Sequence, residues 1–289
     1  MVATVVAPTQ DRLFDLASLN TDERRGVVAD TTLVPPVGLH PAVAAWFRAR
    51  FPDGPTPAQQ QAWPSIATGA HTLVAAPTGS GKTLAGFLMA INGLYLAHAR
   101  GEPVTGTRVV YVSPLKALAV DIAENLERPL TEIAAAAKQL GLDAPDLTVG
   151  VRTGDTTSSE RASMIRSPRT FVVTTPESLY LLVTAEKSRA TLRDVETVLV
   201  DEIHALARDK RGAHLTLTLE RLDHETAELA RRHTVVLDDR VRQFQSSPAN
   251  AHGVVFRVSG RGSESEPAPG LTGAPRRCRA AGAPSRSGA

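Results

Sequence analysis

From His71 onward the chain alternates short apolar runs with longer stretches whose apolar residues recur every three or four positions. The apolar runs are His71–Ala76, Arg108–Val112, Leu147–Val151, Thr170–Thr174 and Thr197–Val200. Runs of this length, apolar almost throughout, suit strands buried on both faces, as in a parallel sheet. The stretches between them, such as Leu84–Ile91, carry the helical period. The alternation predicts an α/β fold with a mostly parallel sheet and helices on both faces. Upstream, Pro41 to Phe51 reads as a helix with Pro41 in its first turn and Val43, Trp46 and Phe47 on one face. A proline-rich joint, residues 51–57, leads into a short helix ending near Gly69, and Thr234–Leu237 offers one more strand.

Both ends lose this pattern. Residues 1–34 read as a partly disordered leader, residues 35–239 as the folded domain, and residues 240–289 as a disordered tail. Of residues 261–289, 24 are Gly, Pro, Ser, Arg or Ala, which cannot bury enough surface to offset chain entropy. Charge divides the same way. Residues 240–289 carry eight Arg against Glu264 and Glu266, a net +6, and the other 239 residues carry a net −4. The high isoelectric point therefore belongs to the tail, whose nonspecific affinity for nucleic acid should be steeply salt-dependent. One cysteine, Cys278, leaves no partner for an intrachain disulfide. No apolar run is long enough to span a membrane and no basic segment precedes an apolar N-terminal core, so a cytoplasmic protein is expected.

The chemistry lies in two motifs. Ala76-Pro-Thr-Gly-Ser-Gly-Lys-Thr83 follows one apolar run and precedes a helical one, the strand–loop–helix setting of a phosphate-binding loop. Gly79 and Gly81, with Thr78 and Ser80 between and beside them, let backbone N–H groups turn toward phosphate oxygens. Lys82 supplies charge for the terminal phosphates, and the Thr83 hydroxyl suits Mg²⁺. The first position is Ala76 where the usual pattern has glycine. Asp201 and Glu202 directly follow Thr197–Val200. The first can hold Mg²⁺, and the second can orient or deprotonate a water attacking the γ-phosphate. ATP and Mg²⁺ are the expected ligands, with Lys82, Asp201 and Glu202 as the catalytic set. In a parallel sheet all strands end on one rim, so the loops after the five predicted strands should converge there.

Four segments resemble motifs I, Ia, Ib and II of superfamily 2 helicases: Ala76–Thr83, Ser113–Leu118, Thr174–Ser178 and Asp201–His204. Thr56-Pro-Ala-Gln59 is similar to the upstream Q motif. Pro114–Leu118, Arg152-Thr-Gly-Asp-Thr156 and Arg211-Gly-Ala-His214 resemble the large helicase-related (Lhr) family of bacterial DNA-repair helicases. The resemblance covers roughly residues 35–222. It implies a RecA-like P-loop NTPase domain acting on DNA or an RNA–DNA hybrid. It implies that Gln59 reads adenine, that Lys116, Arg152 and Thr175 meet the nucleic-acid backbone, and that His204 couples the nucleotide site to other motifs. A solvated surface role remains open for Gln59, Lys116 and Arg152.

The sequence also departs from the pattern. No Ser-Ala-Thr follows Thr234–Leu237, and neither a second RecA-like domain nor its arginine is present. The expectation is a truncated or out-of-frame helicase that needs a second motor domain. An ATP-binding fragment without turnover, and a motor acting on protein, are the alternatives.

Overall fold

A computed structural model describes residues 38–206, 210–226, 233–239 and, for the backbone, 254–258. The helices are α1 (Pro41–Arg50), α2 (Pro57–Ala67), α3 (Lys82–Ala99), α4 (Lys116–Gln139), α5 (Ser158–Arg166), α6 (Pro176–Thr184), the single turn α7 (Glu186–Arg189) and α8 (Lys210–Glu225). The strands are β1 (His71–Ala75), β2 (Val109–Val112), β3 (Val149–Arg152), β4 (Phe171–Thr174), β5 (Thr197–Val200), β6 (His233–Asp238) and β7 (Val254–Val258). They form one sheet in the order β3-β4-β2-β5-β6-β1-β7. The first six strands run parallel, and β7 runs antiparallel along the outer edge of β1.

Alternation along the strands divides the apolar residues between two cores. Val109 and Tyr111 of β2, Phe171 and Val173 of β4, Leu199 of β5 and Val235 and Leu237 of β6 face α1 to α4. Val110, Val112, Val172, Val198 and Val200 face the opposite way, against Leu179, Leu182 and Val183 of α6 and Leu215 and Leu222 of α8. The apolar runs thus serve both faces at once. The face of α1 anticipated from sequence is buried through Val43, Trp46 and Phe47. Phe47 meets Trp63 of α2 edge-on at 5.3 Å, and the Trp46 indole donates to Glu132 of α4 at 2.7 Å.

Two sequence expectations need correction. Residues 240–289 are not structureless throughout, because Val254–Val258 pairs with β1. Val-Val-Phe-Arg-Val is rich in β-branched and aromatic residues, and the edge of β1 offers unpaired backbone groups. The strand expected at Leu147–Val151 is Val149–Arg152, which draws Arg152 into the sheet instead of the loop after it. The leader 1–34, the remainder of the tail and Cys278 lie outside the described residues.

Candidate functional site

Because six strands are parallel, their C-terminal ends share a rim, and the strand order fixes what meets there. The loops after β3, β4 and β2 make one half of it. Those after β5, β6 and β1 make the other.

In the second half, β1 ends in a loop whose Gly79 and Gly81 take φ of 80° and 82°, the left-handed region where side chains are strained. Gly81 is also the N-cap of α3 and brings no side chain to cap it, so the first N–H groups of α3 are left for an anion. The Ser80 hydroxyl is buried without a partner among the described residues. An orphaned donor and an uncapped helix start, converging in one loop, fit a phosphate group. Lys82 is 6% exposed. Its ammonium donates to the carbonyls of Ala76 at 2.6 Å and Pro77 at 2.9 Å.

The third partner of Lys82 was not foreseen. The carboxylate of Asp239, at the tip of β6, forms an ion pair with Lys82 through one oxygen and accepts from the Thr78 hydroxyl at 2.7 Å through the other. A carboxylate thus stands where the loop would hold a phosphate. Burial pushes the Asp239 carboxyl upward. The hydrogen bonds from Lys82 and Thr78, with the Lys82 charge, outweigh this and hold it below the usual range.

Gln59 turns inward. It is 3% exposed, its amide oxygen accepts from the Thr56 N–H at 3.0 Å, and its amide nitrogen donates to the Gly81 carbonyl at 3.3 Å. The Thr56 hydroxyl donates to the Ser80 carbonyl at 2.7 Å. The capping box of α2 therefore also ties down the phosphate loop. Both ends of the amide that the resemblance assigns to adenine are already engaged.

Asp201 and Glu202 leave the end of β5. Asp201 is 5% exposed, accepts from the Tyr111 hydroxyl of β2 through one oxygen and from the Glu202 N–H at 2.9 Å through the other. Tyr111 in turn stacks on Phe87 of α3, ring centres 5.0 Å apart. Burial raises the carboxyl of Asp201, against the lowering effect of its hydrogen bonds, and burial beside this carboxylate drives the Tyr111 hydroxyl far up. Glu202 has a φ of 50° and is the one non-glycine residue at positive φ among those described, a strained geometry of the kind that collects at functional sites. Burial first, then the charges of Asp239 and Asp201, raise its carboxyl. A carboxylate so placed is a better base than an ordinary glutamate. His204 bridges Asp238 at 3.0 Å and Glu202 at 3.2 Å. His204, the coupling residue expected from sequence, thus contacts both the end of β6 and Glu202. Thr83 is half-buried at the start of α3. Its hydroxyl and the desolvated carboxylate of Asp201 are hard oxygen donors of the kind Mg²⁺ takes.

The first half of the rim is different. Lys116 is exposed and pairs with Asp155 at 2.8 Å. Arg211 of α8 pairs with Glu177 at 2.7 Å and donates to the Pro114 carbonyl at 2.8 Å, joining the loops after β4 and β2. Thr175 is buried and its hydroxyl donates to Ser178 at 3.2 Å. Arg152 is buried too, and donates to the Thr153 carbonyl at 2.7 Å. Of the three residues expected to meet a nucleic-acid backbone, Lys116 alone stands at the surface. Asp155, Glu177, Asp238, Asp239 and Tyr111 were missed. A carboxylate two residues beyond a strand was the only signal for Asp239, and the partner it finds lies far away in sequence.

Comparison with known proteins places the chain in a family. Residues 56–237 match the DEAD/DEAH box helicase family. Over 219 residues the chain is 52% identical to the Lhr helicase/probable uracil glycosylase of Mycolicibacterium smegmatis, covering 74% of this chain and 14% of that protein. Over 201 residues it is 47% identical to the Lhr helicase/uracil glycosylase of Escherichia coli, covering 67% and 13%. The structure of Mycobacterium smegmatis helicase Lhr bound to ssDNA and AMP-PNP superposes with a TM-score of 0.65 at 50% identity, covering 71% of this chain and 25% of that one. The chain therefore spans about an eighth to a seventh of the length of these two curated relatives.

Proposed function

The chain belongs to the DEAD/DEAH box helicase family, and we propose that it is the ATP-binding motor segment of an Lhr-like DNA helicase. The observation that carries this reading is the convergence around Lys82 of an uncapped helix N-terminus, an orphaned Ser80 hydroxyl and the two carboxylates that follow β5, Asp201 and Glu202. In this reading the phosphate loop and Lys82 bind the ATP phosphates. Thr83 and Asp201 hold Mg²⁺, which when bound supplies charge neutralisation at the phosphates. Glu202 takes the proton of the attacking water, and Gln59 keeps the loop in shape from behind. His204 links that base to the tip of β6. Lys116 and the backbone around Thr175 and Thr153 meet a DNA strand along the other half of the rim, through phosphates and so without sequence preference. Support for DNA comes from the relative that binds ssDNA and AMP-PNP.

Hydrolysis and strand separation belong, in this proposal, to a larger assembly. An arginine from a second motor domain can be worth about 10³–10⁵ in phosphoryl-transfer rate. The 289-residue chain on its own should therefore bind ATP with negligible turnover. A DNA-repair role and a cytoplasmic location complete the reading. Among the described residues no helix is long and apolar enough to cross a membrane.

The decisive test is calorimetric titration of Mg-ATP into the chain and into Lys82→Ala. Removing the cation should weaken binding by about two orders of magnitude with circular dichroism unchanged. Equal affinity in the variant would overturn the assignment of the loop.

A further inference from the structure

Below the nucleic-acid half of the rim, a cleft of about 440 Å³ opens between α5 and α6, floored by Val172 of β4. Its walls are apolar through Met164, Ile165 and Leu181, and three arginines enter it: Arg152, Arg161 and Arg169. No carboxylate pairs with any of the three among the described residues. Arg152 is 8% exposed, and its guanidinium donates to the neighbouring Thr153 carbonyl. Arg161 donates to the Gly154 carbonyl at 3.0 Å, while its Nε is buried with no partner. The stem of Arg169 crosses β3 at Gly150, where an added Cβ would come within 2.7 Å of the Arg169 Cγ. A bare strand position thus makes room for the third guanidinium. Burial and the charge of Arg161 both push the Arg152 guanidinium below its ordinary pKa.

Taking a cation out of water without a counter-charge is costly. Arg152 is buried and Arg161 and Arg169 are half-buried, and three such cations around one cavity amount to a binding site lacking its anion. A singly charged carboxylate has two oxygens to offer. A phosphate has more charge and more acceptors, and guanidinium forks match it. The cavity has the size of a small-ligand site, and its apolar walls suit a base or sugar.

We propose that this cleft is a second nucleotide-binding site, taking a nucleoside phosphate with its phosphate among Arg152, Arg161 and Arg169 and its base or sugar against Met164, Ile165 and Leu181. The nucleoside phosphate is either free or a unit of the strand on the rim. The strand-borne source rests on the DNA reading above, since Gly154 and Arg152 lie at that rim.

The test uses the full chain. Adenosine monophosphate is titrated into Lys82→Ala, which removes the contribution of the phosphate loop, and into Lys82→Ala combined with Arg161→Gln or Leu181→Trp. Leu181 is half exposed, so the indole can fill the mouth without disturbing the core. A single-stranded oligonucleotide is titrated across a salt series into the unmodified chain, Arg161→Gln and Arg169→Gln. Retained Mg-ATP affinity in the single variants reports that they fold. A free-nucleotide site predicts monophosphate binding that weakens about tenfold in either double variant. A strand-borne site predicts oligonucleotide affinity falling about tenfold per arginine, with the salt slope reduced by about one. Unchanged titrations in both arms would overturn the proposal, including in favour of an acidic peptide, which neither arm detects. Because the monophosphate arm runs without Lys82, its failure is separable from failure of the phosphate-loop assignment.

Discussion

The two halves of the rim are built by opposite means. Around Lys82 the polar groups are buried or half-buried and already bonded to one another: Lys82 to Asp239, Gln59 to Gly81, Asp201 to Tyr111, His204 to Asp238 and Glu202. Around Lys116 the contacts are surface ion pairs, Lys116 with Asp155 and Arg211 with Glu177. Buried polar networks hold a geometry firmly and cost much to break, whereas exposed pairs are worth little and exchange readily. The half around Lys82, proposed to bind the nucleotide, is therefore preassembled and closed by its own carboxylate. The half around Lys116, proposed to meet nucleic acid, is loosely latched and open to competition.

The largest effect that bears on this contrast is the loss of ATP binding in Lys82→Ala. Next comes Asp239→Ala, which removes the competing carboxylate and should tighten Mg-ATP by roughly three- to tenfold, since the binding-competent fraction rises. Repeating the titration with EDTA in place of Mg²⁺ separates two roles. Tightening in both conditions marks a competitor, and weakening only with Mg²⁺ would make Asp239 a metal ligand and end the idea of a closed site. The sign of the pH effect follows from the lowered Asp239 carboxyl. Its ion pair stabilises the fold fully above the ordinary aspartate range and is lost as pH falls through the lower folded value. Neutral and mildly acidic buffers should therefore not open the site.

Glu202→Gln gives a smaller effect with the opposite sign. Its raised carboxyl means that ionisation is disfavoured in the folded chain, so glutamate costs stability above its unfolded pKa of about 4.3. The amide should raise Tm by about a degree or two at neutral pH. The gain should vanish below pH 4, and thermal melts across pH 3.5–8 read it directly. Smallest is Asp155→Asn, which frees Lys116. Stability should stay within about 0.5 kcal/mol, and affinity for single-stranded DNA should rise two- to threefold at low salt, as expected when a surface pair no longer competes. A large loss of stability would show that the half around Lys116 is as rigid as the other.

What could be read from the sequence was local. Strand, loop and helix around Ala76–Thr83 lie within one stretch of chain, and so do the strand and acidic pair at Thr197–Glu202. Each of the five strand runs is present, because a run apolar on both faces has few other places to go. What escaped depended on partners distant in the chain. Thr78 and Asp239 are 161 positions apart, and no local pattern says that they meet. Arg152 reads as a loop arginine until β3 is seen to end on it, and Thr175 reads as exposed until its hydroxyl is found turned to Ser178. The strand Val254–Val258 was overlooked because its neighbours are dominated by Gly, Pro, Ser and Arg.

The position of β6 has a consequence for how such a protein can change. β6 lies between β5 and β1, so whatever two residues follow Leu237 are delivered between the acidic pair and the phosphate loop. Sequence drift at those two places alters how the nucleotide is admitted while leaving every recognisable motif untouched. Two chains with identical motifs can therefore differ widely in nucleotide affinity, and the cause would sit in a dipeptide that a motif search passes over.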